Sequence, residues 1–77
     1  MMTWKESTQK AVRDLTLRLN RKTFSRRELI EFELQNLLSR IVSSGDTPEQ
    51  TLSRELQEMR DEGMLEFLGA GNYLLKE

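Results

Sequence analysis

The chain contains no cysteine and no histidine. Without cysteine no disulfide staples the fold, and the redox compartment is left open. Without histidine the commonest metal ligand and the commonest general base are both missing. No apolar run approaches the length that spans a bilayer. The opening stretch, MMTWKESTQK, lacks the apolar core of a signal peptide. These absences predict no membrane association and a cytoplasmic or nucleoid-associated location. Catalytic signatures are missing too. The sequence has no phosphate-cradling glycine loop, no cluster with zinc-ligand spacing, and no Glu-x-Lys motif behind a paired aspartate. Its serines have no histidine to activate them. The chain is therefore expected to be non-catalytic by itself, with no catalytic residues, metal or cofactor.

What is present fits one domain. Seventy-seven residues bury a small core of marginal stability and leave no room for a cleft between two lobes. The net charge is -1, but it is unevenly spread. Residues 1–27 carry eight basic groups against two acids, whereas residues 28–77 carry four against eleven. Such asymmetry can steer a polyanion to one face although the total is near zero.

The stretch from Thr47 to Tyr73 organises the rest. Thr47 is a candidate helix N-cap, Pro48 suits the first helical position, and Gln50 stands three residues after the cap. Leu52, Leu56 and Met59 recur at helical spacing, and Gly63 supplies the left-handed stop. Two short apolar runs follow, Met64–Leu68 and Tyr73–Leu75, separated by the turn-forming Gly69-Ala70-Gly71-Asn72. A capped helix leading into a hairpin is the second half of a winged helix-turn-helix. The predicted fold is α+β: helices over about 3–20, 26–38 and 48–62, then a two-stranded wing over about 64–75.

The first helix turns Trp4, Thr8, Ala11 or Val12, Leu15 and Leu19 inward, and leaves Leu17 almost opposite Leu15. Thr23-Phe24 could add a short strand beside the wing. Ser25-Arg26-Arg27-Glu28 reads as a capping box, with Phe24 before it placed to staple onto Leu29. The second helix is expected to bury Leu29, Ile30, Phe32, Leu37 and Ile41, with Leu34 and Leu38 widening its apolar surface. Ile41-Val42 either extends this helix or anchors the loop, and Ser43-Ser44-Gly45-Asp46 is a loop by composition. About eight residues then link the second and third helices, more than a tight helix-turn-helix uses.

On the third helix, a step of about 100° per residue sets Gln50, Arg54, Gln57 and Asp61 opposite Leu52, with Ser53 beside them. Glutamine can pair bidentately with adenine, arginine with guanine, and serine with either kind of base edge. Gln50, Ser53, Arg54 and Gln57 are thus the candidate base contacts. The same helix carries Arg54 and Arg60 against Glu49, Glu55, Glu58, Asp61 and Glu62, so phosphate affinity must come from elsewhere. Arg26 and Arg27 start the second helix, where backbone N–H groups favour a phosphate. Lys22, Ser25 and Arg60 complete the candidate phosphate contacts, Asn72 is the wing candidate, and Lys5 and Lys10 either extend the footprint or only solubilise the first helix.

Several of these segments together resemble a known family: Phe24-Ser25-Arg26-Arg27-Glu28-Leu29, Phe32-Glu33, Leu56-Gln57-Glu58-Met59-Arg60-Asp61-Glu62-Gly63, Leu65-Glu66-Phe67-Leu68-Gly69 and Gly71-Asn72-Tyr73. They are similar to the C-terminal winged-helix domain of methyl-directed type II restriction endonucleases, the Dam-replacing and DpnI-like group. The likeness covers about residues 22–75, with the first helix matching by pattern alone. It implies double-stranded DNA binding beside a separate catalytic domain and leaves sensitivity to adenine methylation open. The chain would then be an excised recognition domain or a free-standing regulator. The competing expectation is a protein-interaction winged helix that does not bind DNA. Its acidic half would dock a basic partner, or its first helix would form a homodimer through Leu17.

Overall fold

Local capping decides where the first two helices begin. In the computed structural model, which describes residues 2–41 and 47–76, α1 runs Trp4–Leu19 and α2 runs Arg26–Ser39. Each opens on a reciprocal capping box. Thr3 accepts from the Glu6 N–H while the Glu6 carboxylate accepts from the Thr3 N–H, and Ser25 and Glu28 do the same. The carboxyls of Glu6 and Glu28 are both held below their ordinary range, first of all by these backbone donors. Helix α3 runs Pro48–Asp61 and ends against Gly63, whose φ of +84° is the left-handed conformation glycine tolerates. Its start corrects one expectation. Thr47 precedes Pro48 but makes no side-chain cap bond; its hydroxyl donates to the Gln50 side-chain oxygen at 3.0 Å.

Three strands form one antiparallel sheet in the order β1-β3-β2: β1 is Thr23–Ser25, β2 Leu65–Gly69 and β3 Asn72–Leu75. The wing hairpin is β2 and β3, and the Thr23-Phe24 segment joins it as a third strand. Phe24 sits opposite Tyr73, and Tyr73 opposite Phe67, so all three rings share one face. Tyr73 stacks on Phe24 with ring centroids 5.7 Å apart and meets Phe67 at 5.4 Å. Leu68 falls at an irregularity in the β2–β3 register and is exposed on the outer face of the sheet. The turn between the strands is Ala70-Gly71, with positive φ at both residues as a type I′ hairpin requires.

The core lies where α1, α2, α3 and the inner face of the sheet meet. Ala11, Val12 and Leu15 come from α1, Leu29 and Leu37 from α2, Leu52, Leu56 and Met59 from α3, and Phe24 and Leu65 from the sheet. Both Ala11 and Val12 are buried, so the first helix uses both alternatives. Helix α2 departs from expectation. Phe32 is exposed, and Glu33 beside it is 2% exposed. Helix α2 carries apolar residues around most of its circumference, so periodicity could not single out its inner face. The buried Glu33 carboxylate is 3.5 Å from the half-exposed Arg18 guanidinium, which also lies 5.8 Å from the Phe32 ring. Ile41 is buried in the core; Val42 and the expected Ser43–Asp46 loop lie outside the described residues.

Candidate nucleic-acid interface

Burial of Leu52, Leu56 and Met59 fixes which face of α3 looks outward. Gln50, Arg54 and Gln57 are exposed on that outer face, and Ser53 is half-buried at its edge. Among the described residues, Arg54 forms no hydrogen bond or ion pair. The acids of the helix are partly segregated. Glu55, Glu58 and Glu62 gather on the flank toward α1, around Lys5, which pairs with Glu62. These carboxylates raise the Lys5 ammonium above its ordinary range, the Glu62 hydrogen bond foremost. Glu55 is pushed the other way for a carboxyl: burial, then the charge of Glu58, raises it. One Glu55 oxygen is buried without a hydrogen-bond partner among the described residues. This flank is a feature that sequence reading did not anticipate.

The start of α2 stands next to α3 and the wing turn. Arg27 is exposed and forms no hydrogen bond or ion pair among the described residues. Lys22 is exposed, and its backbone carbonyl accepts from the Leu75 N–H at 2.9 Å, fixing β1 against β3. Ser25 spends its oxygen on the Glu28 N–H as the helix cap. Asn72 is exposed and lies opposite Ser25 in the strand register, so the wing turn sits beside the α2 start. Arg26 meets the expectation of a free phosphate ligand differently. Its guanidinium turns inward to Ser53 and to the Glu49 carbonyl on α3. An open hollow of about 400 Å³ lies at this junction, lined by Arg26, Thr47, Pro48, Glu49 and Gln50.

Other candidates are drawn away from this surface. Arg60 lies 3.3 Å from the adjacent Asp61 carboxylate at the far end of α3. Lys5 is engaged with Glu62, and Lys10 with Asp14 at 3.3 Å. Arg21 bonds the Glu28 carboxylate at 2.8 Å. Much of the basic excess in residues 1–27 is thus compensated within the fold. Among the described residues, no group of three or more His, Cys, Asp or Glu could hold a metal ion, and no helix is long and apolar enough to cross a membrane.

An exposed, amide- and arginine-bearing third helix, a basic α2 start and a hairpin beside it make the layout of a winged helix-turn-helix. The family model described as the Dam-replacing HTH domain matches residues 10–74. The chain belongs to the Dam-replacing HTH family. No curated protein and no solved structure matches it. Membership accords with a C-terminal winged-helix domain of DpnI-like enzymes and with the α+β arrangement of three helices and a small antiparallel wing. A helix-turn-helix domain of this family suggests DNA as the partner. The match begins inside α1, so the Dam-replacing HTH domain takes in most of that helix along with the segments that carried the resemblance.

Proposed function

We propose that this Dam-replacing HTH domain binds double-stranded DNA by laying α3 in the major groove. Gln50, Arg54 and Gln57 read base edges, with Ser53 at the edge of that face. Lys22, Ser25 and Arg27 hold phosphates at the start of α2, and Asn72 touches DNA from the wing; Arg60 joins them only by leaving Asp61. The observation that carries this reading is that Arg27 and Arg54 are both exposed and form no hydrogen bond or ion pair among the described residues, while α3's Glu55, Glu58 and Glu62 gather around Lys5 on the flank toward α1. Phosphate contacts of this kind supply affinity and register, while the α3 side chains supply discrimination. In a larger protein the module would deliver a restriction nuclease to its site; alone it would act as a transcription regulator.

The test is a fluorescence-anisotropy titration with methylated and unmethylated duplexes at low and moderate salt. Salt-dependent binding is expected, and Arg54→Ala or Gln57→Ala should shift base preference by about 1–3 kcal/mol at the contacted position. Absence of binding at low salt would refute the proposal. One observation favours a second reading. Leu17 is 79% exposed on the outer face of α1, next to an open hollow of about 490 Å³ that Met2, Gln9 and Arg13 help line. On that reading the domain meets a second copy of itself through α1. Sedimentation of the wild type against Leu17→Glu separates the two: a dimer dispersed by the substitution supports the protein reading.

A further inference from the structure

Arg26 is the first helical residue of α2, and its bonds leave that helix in two directions. Its backbone N–H, one of the donors that a helix start leaves without an intrahelical partner, donates to the Gly71 carbonyl in the wing turn at 2.9 Å. Its side chain donates through Nε to Ser53 Oγ at 2.6 Å and through Nη2 to the Glu49 carbonyl at 3.3 Å. The Ser53 hydroxyl in turn donates to that same carbonyl at 3.1 Å. Guanidinium, hydroxyl and carbonyl therefore close a triangle between α2 and α3, while the main chain of the same residue ties in the wing. Three pieces of the proposed DNA surface meet at one side chain. A guanidinium aimed at protein acceptors on two of its nitrogens is poorly placed to serve as a fork for phosphate. Its exposed neighbour Arg27 has no such engagement among the described residues.

We infer that Arg26 is a positioning residue, which locks α3 and the wing turn onto the start of α2 so that Gln50, Arg54 and Asn72 are presented as one preorganised surface. Ser53 belongs to this lock. The phosphate charge at the α2 start comes from Arg27. The effect on affinity rests on the DNA-binding reading above, whereas the lock itself is measurable in the free protein. Preorganisation of this kind lowers the ordering cost of binding without adding a contact to the ligand. A phosphate contact has a different signature, because removing one releases one fewer counterion.

The experiment compares Arg26→Lys, Arg26→Ala, Ser53→Ala, the double variant Arg26→Lys with Ser53→Ala, and Arg27→Ala in the full chain. Arg26→Lys keeps the charge but cannot bridge Ser53 and the Glu49 carbonyl as a planar fork does. Arg26→Pro is the second probe: proline suits the first helical position, yet it removes both the guanidinium and the N–H that reaches Gly71. In the free protein, Arg26→Lys and Ser53→Ala should each speed amide exchange over residues 49–54 while leaving the α1 core protected. Arg26→Pro should extend the effect to residues 70–72. With a fluorescein-labelled mixed-sequence duplex, each single variant should weaken binding about fivefold to thirtyfold. The double variant should be weaker than either single by far less than the product of their effects. The slope of log K against log salt should stay at the wild-type value in the Arg26 and Ser53 variants, Arg26→Ala included, whereas Arg27→Ala should make it shallower by about 0.9.

Unchanged exchange in Arg26→Lys and Ser53→Ala overturns the lock. So does Arg26→Ala lowering the salt slope by about 0.9, or Ser53→Ala altering base preference with exchange untouched. If the wild type binds no DNA, the DNA-binding reading fails, and the exchange data alone still decide for or against the lock.

Discussion

Replacing Arg18 with alanine should cost this small domain a large share of its stability. Glu33 is 2% exposed, and among the described residues Arg18 is its ion-pair partner, 3.5 Å away. At that separation the attraction is about 5 kcal/mol at an effective dielectric of about 20 and about 1 kcal/mol at that of water. The Arg18 side chain is 54% exposed, which places the pair toward the weaker end. Loss of the guanidinium from the Phe32 ring, 5.8 Å away, adds about 0.5–1 kcal/mol. The expected total is about 2 kcal/mol. A chain of 77 residues has about 4–12 kcal/mol to lose. Thermal unfolding followed by circular dichroism should show Tm falling by about 8–16 °C. Arg18→Ala combined with Glu33→Gln should recover much of the loss, because the buried charge is then removed with its partner. A Tm drop below about 3 °C in Arg18→Ala would refute the reasoning, since at about 4–8 °C per kcal/mol it would leave Glu33 effectively unaffected by the loss of its partner.

Two further outcomes concern the fold. Ala70 holds a left-handed φ of +52°, so Ala70→Asn, which creates the Asn-Gly pair favoured in type I′ turns, should stabilise the domain by about 0.5–1 kcal/mol in urea melts. Glu55 disfavours its charged form in the fold, so wild-type stability should rise as pH falls through the raised Glu55 value toward its ordinary 4.5. Glu6 and Glu28, held low, oppose this only below their ordinary value of 4.5, where protonation removes their stabilising charge. Glu55→Gln should therefore be more stable than wild type at pH 7 and should flatten the profile above 4.5; an unchanged profile would show that burial and the Glu58 charge do not raise Glu55.

The features legible in the sequence are those fixed by neighbours in the chain. The Ser25–Glu28 box, the Gly63 stop and the Gly69–Asn72 turn each depend on a few adjacent residues, and each was identifiable from its pattern. Thr3-x-x-Glu6 carries the same capping signal at the start of α1. Thr47 shows the limit of such patterns, because its hydroxyl found the Gln50 side chain instead of a backbone N–H. The α2 interior was misassigned because Ile30, Phe32, Leu34, Leu37 and Leu38 offer more than one plausible inner face. Tertiary packing chose Leu34 over Phe32 and buried Glu33. Glu55, Glu58 and Glu62 share a flank of α3 by their spacing of three and four, but their engagement with Lys5, 57 positions from Glu62, is a product of the fold. Arg26 and Ser53 are 27 positions apart, and no periodicity links them. In the candidate site, then, outward-facing residues of one helix could be read from spacing. The inward commitment of Arg26 could be read only from the assembled fold.

The central claim is that α3 and the start of α2 form a DNA-binding surface. Its most direct test is anisotropy of a labelled duplex titrated with wild type and with Arg27→Ala across a salt series. The account predicts binding that weakens with salt, and a slope shallower by about 0.9 in the variant. Binding that is absent at low salt, or equal salt slopes for the two proteins, would contradict it.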